Sequence, residues 1–224
     1  MMLLVHSPLL GPSTWDELLP LLDSAGWSVA VPDLRPLVET SPFHPAVCES
    51  AAAAAASSAR VVVVGHSRAG PYLPGIAAAL GSAVSEVVFL DARLPYPGRS
   101  WLSSLTADQA GTLRELTHED RLATWDRWFS PDALEGLLPD PQQRERIRQE
   151  LAELPWSLVT EELPAVAGAW NSARHIYVRL SAAYETVAAQ AEDEGYAVLR
   201  HQADHLAMLT NPSTVANLVL SALA

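Results

Sequence analysis

A chain of 224 residues has room for one domain with a sizeable core and an inserted lid, and its 49% hydrophobic content excludes a disordered protein. The formal net charge of −12 argues against nucleic acid or an anionic membrane as partner and leaves a small molecule as the expected ligand. The single cysteine, Cys48, excludes an internal disulfide; it fits a reducing, cytoplasmic setting, and in its alanine-rich stretch it is expected to be buried filler.

The chain opens on an apolar run that stops at His6. No basic residue precedes it, and it is too short for a signal peptide or a membrane span. Residues 2–6, 27–31, 60–64, 86–90, 175–180 and 197–200 read as strands. Most are apolar on both faces, as central parallel strands are. Residues 13–25, 45–58, 67–80, 184–194 and 212–223 read as helices between them. This alternation predicts an α/β fold, with a doubly wound, mostly parallel sheet of about six strands.

Residues 94 to about 171 break the alternation. Pro95, Pro97 and Gly98 open the stretch, and helical pieces at 108–116, 119–129 and 141–154 follow without a strong strand. It is expected to fold as a helical cap over the sheet's C-terminal edge, inserted in a core of residues 1–93 and 172–224. Five of the seven tryptophans lie in it: Trp101, Trp125, Trp128, Trp156 and Trp170. Most are expected to glue the cap to the sheet. One or two would wall a substrate pocket, with Trp125, Trp128 and Pro8 as the candidates.

The chemistry is concentrated where the valines of 61–64 run into Gly65-His66-Ser67-Arg68-Ala69-Gly70. A strand that turns sharply into a helix pushes the serine hydroxyl clear of the backbone. The start of the following helix offers N–H groups to a developing negative charge. The segment lacks the lysine of a phosphate loop, and no spacing such as His-Glu-x-x-His points to a metal, so no cofactor is expected.

Three segments, in order along the chain, give a resemblance to the α/β-hydrolase superfamily. Val5-His6-Ser7-Pro8-Leu9-Leu10-Gly11 with Trp15 resembles the His-Gly-x-x loop after the first core strand. Gly65 to Ala69 resembles the nucleophile elbow, with alanine in place of the usual last glycine. Ala203-Asp204-His205-Leu206 before Asn211-Pro212 resembles the catalytic-histidine loop. The chain starts at what is usually the third strand of that fold, and it is most similar to small cofactor-free esterases and hydroxynitrile-lyase-like proteins.

The resemblance implies Ser67 as nucleophile and His205 as its base. His6 and His66 match framework positions, and His201 is expected to be packing or rim; His44, His118 and His175 stand in no motif. In most of the superfamily the acid follows the strand at 175–180, near Ala182 or Ala183, and no aspartate is there. Two candidates remain. Asp91 ends the strand at 86–90, bordering the crevice where ligands bind, and is favoured. Glu185 lies just past the usual position, at the start of a helix. The resemblance assigns one oxyanion N–H to Arg68 and the other to Pro8, which has none. Leu9, or the Ser7 or Ser13 hydroxyl, is expected to substitute. Arg68 itself is expected to pair with Asp91 or Asp204, with holding a substrate carboxylate as the alternative.

The expected function is a serine hydrolase of a small apolar ester, thioester or lactone, through Ser67, His205 and Asp91. Two others stay open. One is a lyase, cyclase or isomerase using Ser67 and His205 as an acid–base pair without an acyl-enzyme; the other is a non-catalytic small-ligand binder. Nothing in the sequence specifies an oligomeric state.

Overall fold

The computed structural model describes residues 1–39, 41–129, 133–166 and 168–224. In chain order the strands are β1 (Met2–Val5), β2 (Val29–Ala30), β3 (Val61–His66), β4 (Val84–Leu90), β5 (Thr117–His118), β6 (Arg121–Leu122), β7 (Leu154–Pro155), β8 (Arg174–Arg179) and β9 (Ala197–Arg200). Six of them form one parallel sheet in the order β2-β1-β3-β4-β8-β9. From β1 the chain runs to β2 on one side of the sheet and then to β3 on the other. That reversal opens a crevice beyond the C-terminal strand ends, where ligands of open α/β sheets bind.

The helices are α1 (Leu19–Ser24), α2 (Phe43–Ala53), α3 (Leu73–Leu80), α4 (Ala107–Glu115), α5 (Ala133–Leu137), α6 (Pro141–Glu150), α7 (Trp156–Thr160), α8 (Ala169–Ser172), α9 (Glu185–Asp193), α10 (Ala207–Thr210) and α11 (Pro212–Leu223). Six of them, α1, α2, α3, α6, α9 and α11, cover the two faces of the sheet, which is why the strands are apolar on both sides. Leu3, Val63, Phe89 and Tyr177 pack with α2, α3 and α9. Leu4, Val64, Val88 and Ile176, aligned across four strands, pack with α1, α6 and α11 on the other face. Val61 to Val64 are all at most 1% exposed, and each such burial contributes about 1.5–3 kcal/mol.

Residues between β4 and β8 leave the sheet. Helix α4 opens on a capping box, in which the Gln109 N–H donates to Thr106 Oγ1 and the Thr106 N–H to Gln109 Oε1. The helix expected at 119–129 is absent. Glu119 and Asp120 take left-handed φ values of +48° and +59° and turn β5 back onto β6. β7 extends this pair into a small antiparallel sheet, and a 3-10 turn at Trp125–Trp128 is all that is helical there. The expected helix at 141–154 stops at Glu150, because Leu154 and Pro155 are taken up by that sheet. The expected helix at 67–80 begins as a 3-10 turn, Ser67–Tyr72. Pro71 and Pro74 lack the N–H groups of a longer α-helix, and Pro74 falls in the first turn of α3, where the loss is harmless. Among the described residues no helix is long and apolar enough to cross a membrane.

Candidate active site

The ends of β3, β4, β8 and β9 deliver Ser67, Asp91, Ser181 and His205 to the crevice. Ser67 follows β3 with a φ of +57°, and Asp91 follows β4 with a φ of +44°. Left-handed backbone costs a non-glycine residue about 1–2 kcal/mol, so neighbouring contacts must hold it. The Arg93 N–H donates to Ser67 O at 2.9 Å, and the Asp91 N–H donates to Val178 O at 2.8 Å. Two glycines let the chains approach. A Cβ on Gly65 would lie 2.6 Å from Leu73 Cδ2, and one on Gly70 would lie 1.9 Å from the Arg93 carbonyl oxygen. Ala69 is itself fully buried; the close approach of the elbow falls one residue later, on Gly70.

Asp91 is fully buried yet well supplied with donors. Its Oδ1 accepts the N–H groups of Leu180 (2.9 Å) and Ser181 (3.0 Å), and its Oδ2 accepts the Ser181 hydroxyl (2.6 Å) and His205 Nδ1–H (2.7 Å). Burial pushes its pKa up. The hydrogen bond and charge of His205, the Ser181 hydroxyl and the Leu180 N–H outweigh burial and hold the carboxyl below its ordinary range. With Nδ1 donating, His205 Nε2 carries a lone pair 3.1 Å from Ser67 Oγ. The imidazole is fixed from both sides. Tyr184 stacks on it with ring centres 5.0 Å apart, and His66 lies 4.5 Å away and donates from Nε2 to His205 O at 2.9 Å.

Ser67, His205 and Asp91 are therefore brought together, and Glu185 is not. Glu185 pairs with Arg179 and Arg200, each at 2.9 Å, on the outer side of α9. After β8, where the superfamily usually carries its acid, the chain supplies Ser181, a donor to the carboxylate that follows β4. His201 is half-buried just past β9, its carbonyl accepting from Arg179. His6 is buried beneath the first loop; Nδ1 donates to Ser7 O, and Nε2 accepts the Leu34 N–H at 3.0 Å.

The oxyanion side departs from expectation. The Leu9 N–H donates to Ser7 Oγ at 3.2 Å, so the Ser7 hydroxyl serves a local turn. Ser13 lies outside the cavity wall, where its N–H meets Glu150. The Arg68 N–H sits in the first turn after the elbow, where backbone donors have no intrahelical acceptor.

A cavity of about 570 Å³ opens on these groups, with Ser67, His205, Arg68 and Leu9 in its wall. Trp125 and Trp128 line it as expected, and Trp101 does too. Pro8 does not; it faces a smaller adjoining cavity behind Leu9. Trp170 instead stacks on His175 at 3.9 Å, and Trp156 lies away from the cavity. Arg68 pairs with neither Asp91 nor Asp204. Asp204 accepts from the Leu206 N–H and the Thr210 hydroxyl, and the Arg68 guanidinium lies over the Trp101 ring at 3.7 Å and reaches Tyr96 Oη at 3.4 Å. Among the described residues no three His, Cys, Asp or Glu side chains cluster as a metal site requires.

The same packing makes the fold acid-sensitive. His66 is completely buried, and its pKa is pushed down to about 3, by burial first and by repulsion from His205 second. Unfolded, it takes a proton near its ordinary value of 6.5; folded, it does not until about 3. Unfolding in that window therefore takes up a proton, so stability is complete above about pH 6.5 and falls as pH drops toward 3. Asp91, held low, adds loss of the same sign at the acid end. Urea unfolding from pH 7 to pH 4 should show stability falling with a slope approaching ~1.4 kcal/mol per pH unit from His66, and His66→Gln should remove that share. An unchanged slope in that variant would contradict the assignment.

A family model described as "Alpha/beta hydrolase family" matches residues 2–218. A search of the curated proteins finds no match. Among solved structures, an extracellular alpha/beta-hydrolase from a Paenibacillus species is similar with a TM-score of 0.79 at 18% identity, covering 99% of this chain and 98% of that one. Polyneuridine aldehyde esterase gives 0.77 at 20% identity, covering 100% and 98%, and tomato methylketone synthase I gives 0.77 at 17%, covering 99% and 96%. At these identities the likeness is one of fold.

Proposed function

The chain belongs to the alpha/beta hydrolase family, and within it we propose a serine hydrolase of a small, largely apolar ester, thioester or lactone. The observation that carries this reading is the chain of contacts Asp91 Oδ2–His205 Nδ1 (2.7 Å) and His205 Nε2–Ser67 Oγ (3.1 Å), opening on a tryptophan-walled cavity. Ser67 Oγ attacks the carbonyl carbon as its proton passes to His205 Nε2. Asp91 stabilises the imidazolium that results. The developing oxyanion draws the N–H groups of Arg68 and Leu9, the latter exchanging its 3.2 Å bond to Ser7 Oγ for a charged acceptor. Collapse expels the alcohol, thiol or alkoxide arm, which takes the proton from His205 and leaves acyl-Ser67. A water then gives a proton to His205 and attacks the acyl carbon, releasing the acid and restoring Ser67. Residues 94–171 act in this reading as the cap that shelters the reaction from solvent. The esterase among the structurally similar proteins accords with it.

A second reading, a lyase, cyclase or isomerase without an acyl-enzyme, draws on the oxyanion side. Pro8 has no N–H and that of Leu9 already has an acceptor, which suits proton transfer by Ser67 and His205 better than acyl transfer. A fluorophosphonate separates the readings. The hydrolase is expected to gain one phosphonyl adduct on Ser67, absent in Ser67→Ala, and Ser67→Ala should lose about 10⁴-fold or more of ester turnover. Turnover without an adduct favours acid–base chemistry. Neither adduct nor turnover, with small ligands still bound, leaves only a binder.

A further inference from the structure

Beside the large cavity, and apart from the small one behind Leu9, lies a side cavity of about 240 Å³. The large and side cavities share Arg68, Arg93, Leu105 and Gln109 in their walls. Arg99 also lines the side cavity, and among the described residues no Asp or Glu does. That is unexpected in a chain with 26 acidic residues against 14 basic ones, where a wall drawn from the whole surface would carry more carboxylates than cations.

Among the described residues the cations there have no salt-bridge partner. Arg68 is only 9% exposed, and the guanidinium groups of Arg68 and Arg93 rest on rings instead, Arg68 on Trp101 at 3.7 Å and Arg93 on Tyr184 at 5.2 Å. The two charges also repel one another. A guanidinium stays protonated at neutral pH, and burying one without a carboxylate is costly unless a ligand supplies the missing charge. Its place over the Trp101 ring holds the Arg68 guanidinium at the cavity wall, and a guanidinium fork suits bidentate contact with a carboxylate or phosphate. Arg68 also adjoins the nucleophile, so a group bound there would belong to the same molecule whose carbonyl meets Ser67.

We propose that the side cavity is an anion subsite, and that the natural substrate is an ester carrying a carboxylate or phosphate group that docks on Arg68 and Arg93 while its apolar part fills the tryptophan-walled cavity. The substrate class rests on the hydrolase reading; the anion subsite does not. Arg68 and Arg93 are specificity residues in this proposal, apart from the backbone N–H that Arg68 offers the oxyanion.

The test compares the p-nitrophenyl ester of hexanoic acid with the mono-p-nitrophenyl ester of adipic acid, which places a carboxylate at the far end of a chain of equal carbon number. Wild type should prefer the anionic ester by about 10–100-fold in kcat/KM, chiefly through KM. Arg68→Gln and Arg93→Gln should each reduce the ratio of the two rates, whatever they do to either rate alone. A wild-type ratio near one, or a ratio unmoved by both substitutions, overturns the subsite. Arg93→Gln, whose backbone contacts are kept, still decides if Arg68→Gln fails to fold.

A binding measurement keeps the subsite testable without turnover. Hexanoate and hexyl phosphate should bind Ser67→Ala by calorimetry more tightly than hexanamide and hexanol, with the difference lost in Ser67→Ala/Arg93→Gln. Which of the two anions binds tighter identifies the natural group. If Ser67 forms no fluorophosphonate adduct and this difference persists, the hydrolase reading falls and the subsite stands. If the adduct forms and the anions show no advantage, the reverse holds.

Discussion

Asp91→Asn is expected to leave the protein folded and to lower ester turnover by about 10⁴-fold. Asparagine tolerates the left-handed φ of +44° at this position better than most residues. Its amide oxygen can still accept the N–H groups of Leu180 and Ser181. The amide nitrogen then replaces Oδ2, where it can donate to Ser181 Oγ but can no longer accept from His205 Nδ1. The imidazole is driven to the other tautomer, with Nδ1 accepting and Nε2 carrying the proton toward Ser67 Oγ, 3.1 Å away. A base that already holds its proton cannot take another, so kcat falls while KM changes little. Fluorophosphonate labelling of Ser67 should slow by a comparable factor. Glu185→Gln is the control: its carboxylate is half exposed and pairs with Arg179 and Arg200, and such solvent-screened pairs contribute little, so activity should stay within about twofold. A loss in Glu185→Gln larger than in Asp91→Asn would move the acid to α9.

The sheet was legible because its signals are local. The valine run before Gly65, the proline and glycine punctuation, and the alternation of strand and helix all act within a few residues of where they are read. Ser67 and His205 were legible for the same reason, each lying in a short loop with a distinctive neighbourhood. The choice between Asp91 and Glu185 was not local. It depends on the β4–β8 pairing, which brings Ser181 and the Leu180 N–H over Asp91, and on two arginines that turn Glu185 outward. The segment 119–129 misled because its composition suits a helix, while Glu119 and Asp120 adopt a turn that matters only once β6 has β7 to pair with. Arg68 could not be read at all from its neighbours. Trp101 and Tyr96, which hold it, come from about thirty residues further on, so an ion pair with Asp91 or Asp204 was expected where a buried cation rests on a ring. Tyr184, stacked on His205, carried no motif to mark it.

Gly70→Ala should be the most damaging single-methyl substitution in the elbow. A Cβ there would stand 1.9 Å from the Arg93 carbonyl oxygen and 3.3 Å from the Ala92 methyl. The first contact cannot be relieved by turning a side chain, because Arg93 O is backbone. Nor is that backbone free to retreat. The Arg93 N–H donates to Ser67 O at 2.9 Å, and the Ala92 carbonyl accepts the Tyr177 hydroxyl at 2.8 Å. Moving the strand end away would pull on Ser67 from one side and on Asp91, two residues earlier in the chain, from the other. Overpacking of this kind costs about 3 kcal/mol, and in a chain of this length that lowers Tm by about 6–12 °C. Gly111→Ala is the matched control. It lies within α4 with nothing near the added methyl, and there alanine should stabilise by about 0.5–1 kcal/mol. The decisive quantity is the ratio of effects: if Gly70→Ala melts as the wild type does and labels with fluorophosphonate at an undiminished rate, the elbow is not held by Arg93. If it melts early and the surviving folded fraction labels slowly, then the contact that keeps Ser67 in its left-handed turn also sets its distance from His205, and one glycine governs both stability and reactivity.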